Sequence, residues 1–376
     1  MAEILSKLPS KCLARVRFVS KEWMSMVSDR TFVKQQLKPG EKLSGFFFQE
    51  YGCDSRELWG DFNALINYIN IDFDFTEVTD VKKGVLNFLP KDVIITSSSH
   101  GLVCCRSSSM CSKQILYVCN PLTREVITVP STSNISRPQQ LESDTVLVFD
   151  PFESHTDVST NFQLVTICET QIYRRFPDRE VVFSFHIYSS QTKDWKTSTA
   201  ICRYSHFLLN MGFVIILGVI FWPTKGQGIL RFNPKNEECF IIEKPFLQPF
   251  FFGSDGTCMG ESEGKLQFLR ITKEKLQVWE LIDLFSSDWS LEYSMSLEDI
   301  EKANPCLGTK LTRKSFPWIS PLSLKNRTLL LKVWGEMFSF HLDSRKAKRL
   351  CPYSAYGQDI FEYKVIPYTM CLVPLT

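Results

Sequence analysis

Four segments of the chain repeat one plan, a strand, a polar turn and a second strand. They are LYVCNPLTREVITV from Leu116, FHIYSSQTKDWKTS from Phe185, ILRFNPKNEECFII from Ile229 and FSFHLDSRKAKRLC from Phe338. Asn120, Ser189, Asn233 and Asp343 align as the turn residues, small polar side chains that hydrogen-bond the backbone of a tight turn. A more divergent fifth copy runs LQVWELIDLFSSDWSLEY from Leu276. The copies stand about 45 to 70 residues apart, the spacing of blade-sized repeats with insertions of variable length. Four-stranded blades arranged radially use such a repeat and leave only short edges. Two stacked sheets are the alternative.

From Leu43 onward the rest of the chain has the same texture. Short apolar or alternating runs, among them Gly45–Phe48, Val93–Thr96, Gly101–Cys105, Val146–Phe149, Lys265–Ile271 and Thr328–Val333, are separated by turn residues, and no long amphipathic helix interrupts them. Leu297–Ala303 reads as a short helix in a connection. Phe207–Trp222 (FLLNMGFVIILGVIFW) imitates a membrane span but falls slightly short of the length that crosses a bilayer. Its Asn and Gly residues, with its Val and Ile content, predict two adjacent buried strands. The expected fold is mainly β with a small α-helical N-terminal module, the body a β-propeller of about six to eight irregular blades.

The N-terminal module has its own pattern. Ile4, Leu5 and Leu8 share one face at helical spacing before Pro9 stops the turn. Ser10 is placed to cap a second helix with Leu13, Val16 and Val19 at i, i+3 and i+6. Ser20 can cap a third, with Trp23 and Val27 one turn apart, and Asp29 a fourth, which carries Phe32 and Leu37. About 35 residues cannot close a self-sufficient core, so contact with a partner is physically reasonable. KPGEK (Lys38–Lys42) reads as a linker. The expected division is 1–37, a linker over 38–44, and a β body over 45–376.

Composition excludes several functions. A net charge of +2 gives no electrostatic footprint for nucleic acid or an anionic membrane. Thirteen cysteines, an odd number, behind an N-terminus without an apolar signal core imply reduced thiols in the cytoplasm or nucleus. Cys104, Cys105, Cys111 and Cys119 contain no CxxC pair, and the adjacent two would point to opposite faces of a strand, so core thiols are expected rather than zinc ligands. Gly260–Gly264 fits G-x-S-x-G formally, but a nucleophile elbow needs a helix after the Ser. Here Leu266, Phe268 and Ile271 continue as a strand, so a hairpin turn is expected at Ser262. The five histidines show no metal-ligand spacing, and no phosphate-binding Gly motif occurs. No catalytic set, metal or cofactor is expected. Aromatic loops at 246–252 and 353–356 are candidate recognition patches, with buried packing the favoured role for any one residue.

EILSKLPSKCLARVRFVSKEWMSMVSDRTFV resembles the F-box, the helical module that docks a substrate receptor onto a cullin–RING ubiquitin ligase through a Skp-type adaptor; "ILSKLP", "LARVRFVSKEW" and "DRTF" stand in the F-box order. Behind it, NPLTREVITVP (Asn120–Pro130), VFDPFES (Val148–Ser154), IYSSQTKDWKTS (Ile187–Ser198), GESEGKLQFL (Gly260–Leu269) and FEYKVIPYTMCLVPL (Phe361–Leu375) resemble the plant F-box-associated domain, which is propeller-like and is taken to hold the substrate. The resemblance implies a non-catalytic receptor subunit whose partners are a Skp-type adaptor, through it a cullin–RING ligase, and a target protein. Ile4, Leu5, Leu8, Pro9, Val16 and Val19 would divide between adaptor contact and the module's own core. Two departures stand out. F-boxes normally open with Leu-Pro and an acidic residue before the first helix, whereas Met1 lies inside that helix, so a target-binding propeller that no longer docks is the alternative expectation. Leu217–Gly218 stands where an Asn-Gly turn is expected. A propeller hydrolase resting on Ser262 is the third reading.

Overall fold

The computed structural model describes residues 2–8, 10–36, 43–50, 65–71, 81–90, 93–107, 114–130, 145–152, 160–173, 179–209, 212–246, 256–308, 311–312, 319–334, 336–352 and 363–375. Strands with apolar side chains on both faces need cover on both, and a ring of stacked sheets supplies it. The first sheet takes its strands from both ends of the chain. β1 (Gly45–Glu50), β2 (Ile66–Asn70) and β3 (Val81–Lys82) follow β24 (Tyr363–Tyr368) in the order β24–β1–β2–β3. β24 and β1 pair antiparallel from Gly45 opposite Tyr368 to Glu50 opposite Tyr363. The second sheet holds β4 (Val93–Ser99), β5 (Leu102–Ser107), β6 (Ile115–Asn120) and β7 (Glu125–Pro130). The third holds β8 (Thr145–Phe149), β9 (Phe162–Tyr173), β10 (Arg179–Ser189) and β11 (Asp194–Tyr204). The fourth holds β12 (Val214–Ile216), β13 (Val219–Pro223), β14 (Gly228–Asn233) and β15 (Glu238–Glu243).

An eight-stranded sheet completes the set. Its halves are the antiparallel meanders β16 (Gly256–Ser262), β17 (Lys265–Ile271), β18 (Lys275–Leu281), β19 (Trp289–Ser296) and β20 (Ile319–Lys325), β21 (Thr328–Val333), β22 (Glu336–His341), β23 (Lys346–Pro352). Their strands pair where β16 and β20 run parallel, at Gly260 opposite Leu324 and Glu261 opposite Lys325. The chain is mainly β, in a β-propeller arrangement of four-stranded units. Leu297–Ala303 is the short helix expected there, capped by Ser296.

The core is divided among the seams between successive units. Phe46 and Phe48 pack with Leu330 and Met337, whereas Phe47 between them packs with Val103 and Tyr117. Leu147 and Phe149 share a cluster with Leu102, while Val146 and Val148 share one with Ile220 and Phe232. Alternate side chains thus enter opposite seams, since successive strand residues face opposite sides of a sheet. Such strands read as continuous apolar runs. That accounts for the membrane-like look of Phe207–Trp222, within which the expected strand pair occurs as β12 and β13. It also accounts for the adjacent thiols: Cys104 and Cys105 lie in different clusters, whereas Cys111 lies outside the described residues.

Each repeated segment is the outer hairpin of its unit: β6–β7, β10–β11, β14–β15, β22–β23 and, in the divergent copy, β18–β19. In one copy the expected register was two residues off. Asn120, Ser189 and Asn233 pair across their turns with the fifth residue onward, and the residue that does so in the fourth copy is His341, opposite Lys346, not Asp343. The left-handed residues Arg124, Lys193, Glu237 and Arg345 fall in line on the same alignment. His341 Nδ1 accepts from the Ser344 amide, the part that the Asn120 side chain plays toward Thr123. A ring nitrogen can replace an amide oxygen, which a search for small polar residues passes over.

The turn at Leu217–Gly218 has both residues left-handed, at φ 51° and 81°. A two-residue hairpin of this hand favours Asn-Gly, because an L side chain at positive φ crowds its own backbone. Leu217 is also 81% exposed, so packing does not compensate. Leu217→Asn is expected to stabilise the protein by about 1 kcal/mol, read as a higher urea midpoint; an unchanged or lower midpoint contradicts it.

Lys244, the residue after β15, is a buried cation that reaches across to the turn before β14. Its Nζ donates to the carbonyls of Thr224 (2.8 Å) and Gly226 (2.7 Å). Burial pulls its pKa down to about 8. Between that value and the ordinary lysine range the unfolded chain binds the extra proton, so stability rises with pH there and the burial penalty is fully present below it. The rise is expected to reach about 3 kcal/mol. Urea titrations at pH 7.5, 9 and 10 should show this slope in the wild type in excess of that in Lys244→Met; equal slopes refute it.

Candidate functional site

The site is built on the end of the chain. After β24, residues 369–375 run across the second unit. The Asn120 Nδ2 donates to the carbonyls of Cys371 (3.0 Å) and Val373 (2.8 Å), while its Oδ1 accepts from the amides of Leu122 (2.9 Å) and Thr123 (3.4 Å). The Leu375 amide donates to Glu125 Oε2 at 3.1 Å. Gly101 lies where the segment passes the β4–β5 turn. It has φ 86°, and a Cβ there would meet the Cys371 Cβ at 2.4 Å, so only glycine fits.

Four helices pack on this floor: α1 (Ala2–Leu5), α2 (Ser10–Val16), α3 (Lys21–Ser28) and α4 (Arg30–Gln36). Their caps are those the sequence suggests at Ser20, whose Oγ accepts from the Trp23 amide at 3.1 Å, and at Asp29, whose Oδ1 accepts from the amides of Thr31 (3.0 Å) and Phe32 (3.1 Å). The hydrogen bond from the Thr31 hydroxyl, followed by that from the Phe32 amide, lowers the Asp29 carboxyl below its usual pKa. Ser10 is the first helical residue rather than an assigned cap. Leu5, Leu13, Ala14, Val27, Phe32 and Val33 are buried in one apolar cluster with Leu372, Val373 and Leu375 and with residues of the second and third units. Too short for a core of its own, the module shares the propeller's.

The expected adaptor residues separate accordingly. Leu5 is 2% exposed and belongs to this shared core, while Leu8 and Val16 lie half-buried against it. Ile4 and Val19 are 67% and 69% exposed. Pro9 lies outside the described residues. Sequence reasoning missed Phe18, at 82% the more exposed neighbour of Val19, and Met24. It ran the helical period through Val19, but α2 ends at Val16, and turn hydrogen bonds from Phe18 to Arg15 and from Val19 to Val16 redirect the chain. The available signal was a large apolar residue standing off the stripe. Nearby, the Arg17 guanidinium lies 5.8 Å from the Phe18 ring centre. Residues 1–37 carry seven basic and three acidic side chains, so the exposed apolar groups lie in a basic setting.

Elsewhere the geometry bears on the other readings. Gly260–Gly264 is a hairpin end: β16 closes at Ser262, buried opposite Lys265, and Glu263–Gly264 make a left-handed turn into β17. No helix follows to expose the hydroxyl as an elbow does. Among the described residues no three His, Cys, Asp or Glu side chains group as metal ligands, and no helix is long and apolar enough to cross a membrane. Phe246 lies half-buried and packs edge-on to Phe268 at 5.5 Å, a packing role rather than an exposed one. The rest of that aromatic loop, and Tyr353–Tyr356, lie outside the described residues.

Comparison with known proteins agrees with this architecture. The family model described as F-box protein At3g26010-like, beta-propeller, matches residues 71–311, and the F-box domain model matches residues 1–35. Similar proteins of Arabidopsis thaliana include F-box protein At5g49610, 25% identical with 90% of this chain and 89% of the relative covered. F-box protein At5g07610 is 22% identical, with 96% and 86% covered, and F-box protein At3g26010 is 23% identical, with 79% and 67% covered.

Proposed function

Since the chain belongs to the plant F-box proteins with an At3g26010-like β-propeller, we propose that it is a substrate-recognition subunit of a Skp–cullin–F-box ubiquitin ligase. Members of this family are typically non-catalytic subunits of such ligases. Residues 1–37 dock a Skp-type adaptor, 38–44 link, and 45–376 bind a target protein in the cytoplasm, the nucleus or both. The receptor raises the effective concentration of a target lysine near the charged conjugating enzyme and performs no step of the transfer itself. The six four-stranded units among the described residues, two of them joined in the eight-stranded sheet, support a six-bladed propeller.

One observation carries this reading: the helices bury one side in the propeller cluster and leave Ile4, Phe18 and Val19 in water. Large apolar groups so displayed mark a surface that a partner covers. Ile4 and Val19 are the adaptor contacts of the expected set, Phe18 joins them, and Leu5 serves by holding the module in place. The basic setting favours an acidic partner surface. Co-purification of the intact chain with a plant Skp-type adaptor at micromolar concentration tests the proposal. Retention is expected; passage of the chain without the adaptor defeats it and leaves a target-binding propeller that does not dock.

A further inference from the structure

The outermost strands of the third and fourth units meet at a seam that carries two thiols. Cys202, on β11, is 8% exposed and packs in the apolar cluster between these units. Cys239, on β15, is half-buried against the same cluster. Both thiols thus enter one apolar cluster from neighbouring outer strands, near enough that each shifts the titration of the other. A clip beside them holds the strands in register. The Glu237 carboxylate, on the β14–β15 turn, accepts from the Lys196 ammonium, from Ser198 Oγ at 2.7 Å and from the Thr199 amide at 3.0 Å, all on β11. The same seam opens to solvent through a shallow groove of about 440 Å³ lined by Ala200, Ile201, Glu237, Glu238, Cys239 and Phe240.

We propose that Cys202 and Cys239 form a redox site, in which hydrogen peroxide entering this groove oxidises the pair to a disulfide that links the two blades. Interaction with Cys239, and then burial, raise the Cys202 pKa, while the same interaction lowers that of Cys239, which favours the thiolate at the more exposed sulfur. A thiolate is the nucleophile in such chemistry, and Cys239 is also the thiol on the groove. Its sulfur attacks one peroxide oxygen, the O–O bond breaks, and hydroxide leaves, taking up the proton that Cys239 gave to solvent. Cys239 is then a sulfenic acid. The Cys202 sulfur displaces the sulfenic hydroxyl, which departs as water with the Cys202 proton, and the S–S bond forms. The pair loses two electrons and two protons, and the peroxide becomes two waters.

Among the described residues, other thiols lack one part of this arrangement. Cys104 and Cys119 lie on adjacent strands of the second unit but enter opposite seams, and both are fully buried, so the peroxide has no route to them. Cys12 and Cys306 are exposed on separate elements. Access and a neighbouring sulfur coincide at Cys202 and Cys239.

The full-length chain, reduced, freed of reductant and treated with hydrogen peroxide, tests the assignment by non-reducing peptide mapping. A peptide carrying Cys202 joined to one carrying Cys239 is expected, with the loss of two thiols per chain, before Cys104 or Cys119 is modified. In Cys202→Ser the reaction should stop at a Cys239 sulfenic acid that dimedone traps, and in Cys239→Ser the Cys202 thiol should survive. Absence of the linked peptide while Cys12 and Cys306 oxidise overturns the proposal, as does oxidation of Cys202 at an undiminished rate in Cys239→Ser. The wild-type map decides the matter even if a variant folds poorly.

Discussion

A chain carrying Ile4→Ala, Phe18→Ala and Val19→Ala is expected to bind a Skp-type adaptor about a thousandfold more weakly than the wild type, with its unfolding temperature nearly unchanged. Covering an exposed apolar side chain is worth about 1.5–3 kcal/mol, and truncation to Ala forfeits most of that. Three such losses come to about 4 kcal/mol, at 1.4 kcal/mol for each tenfold in affinity. Stability is spared because these side chains already stand in water, where substitutions usually change it by less than about 0.5 kcal/mol. Leu5→Ala should behave in the opposite sense. Its side chain is inside the shared core, so truncation costs about 2–5 kcal/mol of packing and loosens the helices from the propeller. Calorimetric titration of purified chain with adaptor, beside thermal unfolding, separates the two effects. Affinity within threefold of wild type in the triple variant would show that the adaptor does not use this surface.

Asn120→Ala is expected to destabilise the protein by about 2–4 kcal/mol, the larger part coming from buried carbonyls left without donors. The side chain is fully buried and uses both ends, accepting from the turn amides and donating to the carbonyls of Cys371 and Val373. Asn120→Asp sharpens the test. A carboxylate can still accept from the Leu122 and Thr123 amides, but it cannot donate, and it sets a charge against two carbonyl oxygens in a buried site. It should therefore be at least as damaging as Ala. Asn233→Ala removes one hydrogen bond, to the Lys235 amide in an exposed turn, and should cost about 1 kcal/mol or less. Equal urea midpoints for Asn120→Ala and Asn233→Ala would mean that the C-terminal segment does not depend on this clasp.

Asn120 illustrates how far the sequence can be read. Its turn role follows from residue type and position in a repeat, because an Asx turn is a local structure closed within a few residues. Its second role joins residues about 250 positions apart and leaves no local pattern. The helix caps at Ser20 and Asp29 were legible for the same local reason, as were the hairpins of the repeat and the short helix at Leu297–Ala303. β24 escaped the strand reading because its unit is assembled from the two ends of the chain and never appears as one repeat. Phe18 escaped the site because helical spacing was carried past the point where α2 stops. Cys202 and Cys239 carry no sequence motif at all. Their contact depends on how two outer strands meet.

The sequence by itself determined the kind of chain: blade-sized strand repeats behind a helical segment too short to fold alone, with apolar runs that demand cover on both faces. Those are matters of period, propensity and turn chemistry, and all of them act over a few residues. Only the tertiary structure decided which apolar residues of the helical module face the core and which face water. Amphipathic spacing shows that a stripe exists, but burial depends on the surface that stripe meets. Here that surface is the C-terminal segment, carried back to the helices by closure of the ring.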